Sequence, residues 1–78
     1  MAFDYSKLKG RIIEKFGTQR DFAKAMGTSE LTLSLKLNNM IFFRQDEIGK
    51  ATDLLHLHAE DMNEYFFTPK VKEVKQKR

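Results

Sequence analysis

Residues 18–38 read TQRDFAKAMGTSELTLSLKLN, and the reading of this stretch decides the fold. Thr18, followed three positions later by Asp21, makes a capping-box-like helix start. A first helix then runs to Met26, and Gly27 offers the left-handed conformation that ends one helix and turns the chain into another. Ser29, or Thr28 before it, is placed to cap the second helix. Phe22, Met26, Leu33 and Leu37 would supply the apolar contacts between the two helices, and Ala23 is small where they must cross closely.

The second of these elements carries a conflict. Leu31, Leu33, Leu35 and Leu37 alternate with Thr32, Ser34 and Lys36, which is the period-2 pattern of a half-buried strand. Against a strand, Leu and Lys are good helix formers, no β-branched run is present, and no neighbouring segment offers a strand to pair with. A helix over about 29–38 is the expectation. With Leu33 and Leu37 facing the core, a rotation of about 100° per residue puts Leu31, Leu35 and Asn38 on the opposite side, flanked by Thr32 and Ser34.

Outward from this pair, Tyr5, Leu8, Ile12 and Phe16 recur at three and four residues, predicting a helix over Ser6–Phe16 that Gly17 ends. Residues 40–43 form an apolar loop expected to tuck under the domain. Asp46 and Glu47 favour a helix start, and Ile48, Ala51, Thr52 and Leu55 mark one face of a fourth helix. A fifth short helix is predicted from near Ala59, with Met62, Tyr65 and Phe66 inward and Pro69 as its stop. The final KVKEVKQKR has only two apolar residues and is expected to remain a flexible basic tail. Domain organisation is therefore one all-α unit over residues 1–69 and a tail over 70–78.

Seventy-eight residues hold one core and no second domain. The chain has no Cys, so disulfides and thiolate metal sites are excluded, and the core must come from 41% apolar residues that include seven Phe and four Met. Neither a signal-peptide region nor a run of about 18 apolar residues is present, so a cytoplasmic protein without a membrane partner is expected. The net charge of +3 divides into +3 over residues 1–50, −4 over 51–69 and +4 over 70–78. Such segregation suggests that one face attracts a polyanion while another avoids it. His56 and His58 are two residues apart and do not share a helix face, so a metal site is not expected. No nucleophile elbow, phosphate loop or catalytic carboxylate pair is present, so neither an enzyme nor a cofactor is expected.

The spacing of Gln19, Ala23, Gly27 and the following leucines is the helix-turn-helix signature. Over roughly residues 4–67 the chain resembles the Cro/CI-type repressors of phages and prophages, in the wider lambda-repressor-like family. Within that family it is similar to small phage-associated proteins with an EYFF stretch, here Glu64 to Phe67. The resemblance implies a five-helix lambda-repressor-like domain and a transcriptional regulator that occupies operator DNA as a homodimer. Regulation by self-cleavage through a separate cleavage-sensing domain is not expected. One departure is Lys36, which stands where the family has an apolar residue one turn after Leu33.

On this reading Glu30, Leu31, Thr32, Ser34, Leu35 and Asn38 face the bases of double-stranded DNA in the major groove. Gln19, the family's phosphate-binding residue at the helix start, is joined on the rim by Arg20, Ser29, Lys36, Asn39 and Arg44. Leu twice on a base-reading face is unusual chemistry, suited only to thymine methyls. Two alternatives stay open: a protein-interaction module, such as an antirepressor, that uses the Leu-rich helix, and a non-specific nucleic-acid binder that relies on the tail. Tyr65, Phe66 and Phe67 cannot all be buried by one helix, so they are either a dimer contact or a plug completing the core.

Overall fold

The computed structural model describes residues 2–69. Among them the chain forms α1 Ser6–Phe16, α2 Gln19–Met26, α3 Glu30–Leu37, α4 Gln45–Leu54 and α5 Met62–Phe66, the last entered through a 3₁₀ turn at Ala59–Asp61. The only extended pairing in the described residues is one antiparallel bridge between Phe3 and Pro69. The fold is all-α, with helix bounds close to those the apolar spacing predicts. The expected tail over 70–78 lies outside the described residues. No helix among the described residues is long and apolar enough to cross a membrane.

Local chemistry sets the helix ends. The Thr18 hydroxyl accepts the Asp21 N–H at 3.1 Å and the Ser29 hydroxyl accepts the Thr32 N–H at 3.0 Å, satisfying donors that the first turns of α2 and α3 leave free. Gly27 closes α2 in the left-handed region at φ 82, and the Thr28 N–H returns to the Ala23 carbonyl at 3.0 Å. Asn39 does the same for α3 at φ 64, with the Met40 N–H on the Leu35 carbonyl at 2.8 Å.

α2 sits at the centre, packed against α1, α3 and α4, while α5 covers α1. Leu8 and Ile12 of α1, Phe22 and Ala23 of α2, Leu33 and Leu37 of α3, Ile48 and Ala51 of α4, with Tyr5, Leu55 and Phe66, form one buried core. Each fully buried Leu, Ile or Phe contributes about 1.5–3 kcal/mol. The alternating leucines resolve as a helix because Leu33 and Leu37, four apart, reach the core together while Leu31 is left in solvent.

Two expectations are corrected. The loop over 40–43 does not tuck under the domain: Met40, Ile41 and Phe42 are exposed and only Phe43 turns inward. The space beneath is already filled, because the Phe43 ring meets Tyr5 at 5.4 Å and Phe66 at 5.5 Å, both edge-on. The fifth helix ends at Phe66, short of Pro69, which instead pairs with Phe3 while the Asp4 N–H bonds the Thr68 carbonyl at 2.7 Å. Phe3 and Pro69 are thereby held beside the α3–α4 loop, through the Asn39 side chain on the Phe3 backbone.

Candidate interaction surface on the third helix

The cap at Ser29 and the turns at Gly27 and Asn39 hold α3 so that Leu33 and Leu37 point inward. The outward side then carries Glu30, Leu31, Ser34, Leu35 and Asn38, with Thr32 at its edge. Leu31 is 69% exposed and Leu35 half-buried. The polar groups between them bond one another: the Ser29 hydroxyl donates to the Thr32 hydroxyl at 2.9 Å, and the Asn38 amide donates to the Ser34 carbonyl at 2.9 Å. The Met40 amide reaches Leu35, so the exposed side chains of Met40, Ile41 and Phe42 continue from the end of the helix, Met40 being 69% and Phe42 73% exposed. The surface is an apolar ridge from Leu31 through Leu35 to Phe42.

Charge on this ridge is balanced at both ends. Arg20 lies 3.7 Å from Glu30 at the N-terminal end of α3, and Arg44 lies 2.9 Å from Asp46 beyond its C-terminal end, all four side chains being exposed. Lys36, expected on a phosphate rim, is only 7% exposed, and its ammonium is held by both oxygens of the Glu47 carboxylate. Burial pushes the Glu47 carboxyl up, but the Arg44 backbone N–H, which donates to it at 2.9 Å, and the Lys36 ammonium together hold it below the usual carboxylate range. Lys36 is thus paired within the protein, where it has no reach to an external anion.

Other expected contacts also move inside. The Asn39 side chain clamps the backbone of Phe3, accepting its N–H and donating to its carbonyl, both at 2.9 Å. That double bond to the chain removes it from the rim. Phe66 is 1% exposed and belongs to the core, because the short helix α5 turns it toward Phe43. Tyr65 is half-buried with the Lys7 ammonium 5.6 Å from its ring centre, and Phe67 leans edge-on against Phe3 at 5.8 Å. Of the three, Phe66 fills the core while Phe67 stays 43% exposed. Gln19 is half-buried at the first position of α2, and Ser29 is exposed at the N-cap of α3.

The family model for proteins of unknown function DUF739 matches residues 1–69. The chain belongs to this family. It is also similar to the solution structure of the modulator of repression (MOR) of the temperate bacteriophage TP901-1 from Lactococcus lactis, with 53% sequence identity and a TM-score of 0.77. That match covers 92% of this chain and 97% of the other. No curated protein matches the chain. The resemblance to phage regulators read from the sequence is therefore met at the level of a DUF739 protein similar to a phage modulator of repression.

Sequence reasoning missed the exposed loop and the Lys36–Glu47 pair. Met40, Ile41, Phe42 and Phe43 form an unbroken apolar run, and hydrophobicity alone assigns such a run to a core. The available signal was Asn39, whose tolerance of the left-handed region lets the chain leave α3 sharply and turn a side of the loop outward. For the ion pair, the signal was a Lys at a core-facing position with a Glu in the first turn of the next helix.

Proposed function

We propose that this chain regulates phage repression by binding a protein, using the ridge along α3 and the following loop. The observation that carries the reading is the exposed apolar set Leu31, Met40, Ile41 and Phe42 on α3 and the loop after it, beside a Lys36 that is consumed by Glu47. A surface reading DNA gains most of its affinity from cations on phosphates. An exposed apolar patch rimmed by polar groups suits a protein partner instead. Modulation of repression, the role named for the similar phage protein, supports the same reading, with a phage repressor as the partner. The role needs no catalysis and no cofactor.

Sequence-specific DNA binding is the second reading. It is favoured by one observation, the α2–Gly27–α3 arrangement with Ser29 capping an α3 whose first turn is open to solvent. Titration of the purified chain against the repressor of the same phage, beside selection of bound sequences from a random duplex pool, separates the two. The expected result is a repressor complex that Leu31→Lys weakens at least tenfold, with no duplex enriched. Enrichment of a palindrome, with repressor binding absent, overturns the protein-contact reading.

A further inference from the structure

Gly49 stands in the middle of α4, where nothing in the fold requires a glycine. A Cβ there would meet nothing within 4 Å, and the residue does not adopt a positive φ. Glycine weakens a helix interior relative to alanine, because it has more backbone freedom to lose. Its effect here is to leave a groove open. Gln45, Ile48 and Gly49 of α4, with Met62 of α5 and Phe67 just after it, line a mostly apolar groove of about 360 Å³. Ligand pockets run from about 300 to 1,000 Å³, so this one suits a single large side chain.

The two ends of the groove differ. Phe67 packs edge-on against Phe3, whose backbone Asn39 holds, and Gln45 directly follows Arg44, so this end adjoins the loop that exposes Ile41 and Phe42. The other end is acidic. Gln45, Gly49 and Asp53 lie four apart in one row along α4, which sets the exposed Asp53 one turn past Gly49. Glu60 and Asp61 directly precede Met62. No cation among the described residues forms an ion pair with Asp53 or Glu60, and Lys50, the one cation of α4, is turned to the Met26 carbonyl at 3.3 Å. Residues 51–69 hold no Lys or Arg.

We propose that this groove is a second docking point for a protein partner, which inserts one large apolar side chain beside a Lys or Arg of the same segment. The apolar walls take the side chain, and Asp53 and Glu60 attract the cation. That the partner is the repressor of the same phage rests on the proposed function. Because the groove adjoins the loop at Phe42, one partner covers both it and the α3 ridge.

Nuclear magnetic resonance of the full chain, titrated with end-blocked tripeptides to about 10 mM, reads the groove without any repressor. Lys-Phe-Lys should move the Gly49 amide and the Met62 methyl saturably, and Lys-Ala-Lys should leave them in place. Glu-Phe-Glu should bind at least about threefold more weakly than Lys-Phe-Lys, and Asp53→Lys, at an exposed position, should erase that difference. Gly49→Leu fills the groove from within, should melt no lower than the parent because leucine favours a helix, and should weaken the repressor complex at least about tenfold. Gly49 and Met62 signals indifferent to Lys-Phe-Lys, equal binding of the two charged Phe peptides, or a Gly49→Leu variant that binds repressor as the parent does overturns the inference. A parent chain that takes Lys-Phe-Lys in the groove but binds no repressor overturns the proposed function and leaves the groove site standing.

Discussion

Lys36 and Glu47 are the residues whose roles changed most between sequence and structure. A Lys on a helix invites a surface assignment, yet at this position its alkyl stem lies in the core and its ammonium finds Glu47. Glu47 is held below the usual glutamate value of about 4.3, so its ionisation contributes stability that is fully present above that value and is lost as the pH falls through the lower native one. Glu47→Gln should therefore cost about 2 kcal/mol at pH 7 and much less at pH 3, as read by urea unfolding at the two pH values. Lys36→Met, which keeps the stem but leaves the Glu47 carboxylate without its cation, should likewise cost about 2 kcal/mol at pH 7 and much less at pH 3. His56 offers a second check: it is exposed and held at φ 55 after α4, where a Cβ is strained. His56→Gly should raise stability by about 1 kcal/mol, visible as a higher urea midpoint.

At the scale of elements, the turn between α2 and α3 was legible because its signals are local. A capping Thr, a left-handed Gly and a capping Ser act within a few residues of themselves, and each makes the hydrogen bond its position implies. Ser29→Ala should cost about 1 kcal/mol in thermal unfolding, because the first turn of α3 loses its acceptor for the Thr32 N–H. Ala23, fully buried on the face of α2 that meets its neighbours, has no room for a larger side chain. Ala23→Leu should cost about 1–3 kcal/mol by overpacking, measured as the fall in free energy of unfolding. The helix assignment of α3 was less direct, since alternating leucines fit two periods. Propensity and the lack of a pairing strand favour the helix, and the burial of Leu33 and Leu37 together accords with it.

For the whole molecule, the charge segregation along the chain does not translate into a cationic face on α3. The cations there are tied to acids within the domain: Arg20 to Glu30, Lys36 to Glu47, Arg44 to Asp46. An interface of that kind should respond to salt differently from a DNA-binding one. Binding of the repressor should change less than about tenfold between 50 and 200 mM salt, whereas operator binding through even four or five phosphates would fall with a log–log slope of roughly −4. Titrations at the two salt concentrations decide this. The amino-acid sequence by itself determined the five helices and their order, the capping residues and the inward leucines, because helical periodicity and end chemistry act over a few residues. Only the tertiary structure decided that Lys36 turns inward to Glu47, that Asn39 clamps Phe3 and that Met40 to Phe42 face solvent. Those outcomes depend on which distant side chain already occupies a space or carries the matching charge, and no local pattern records that.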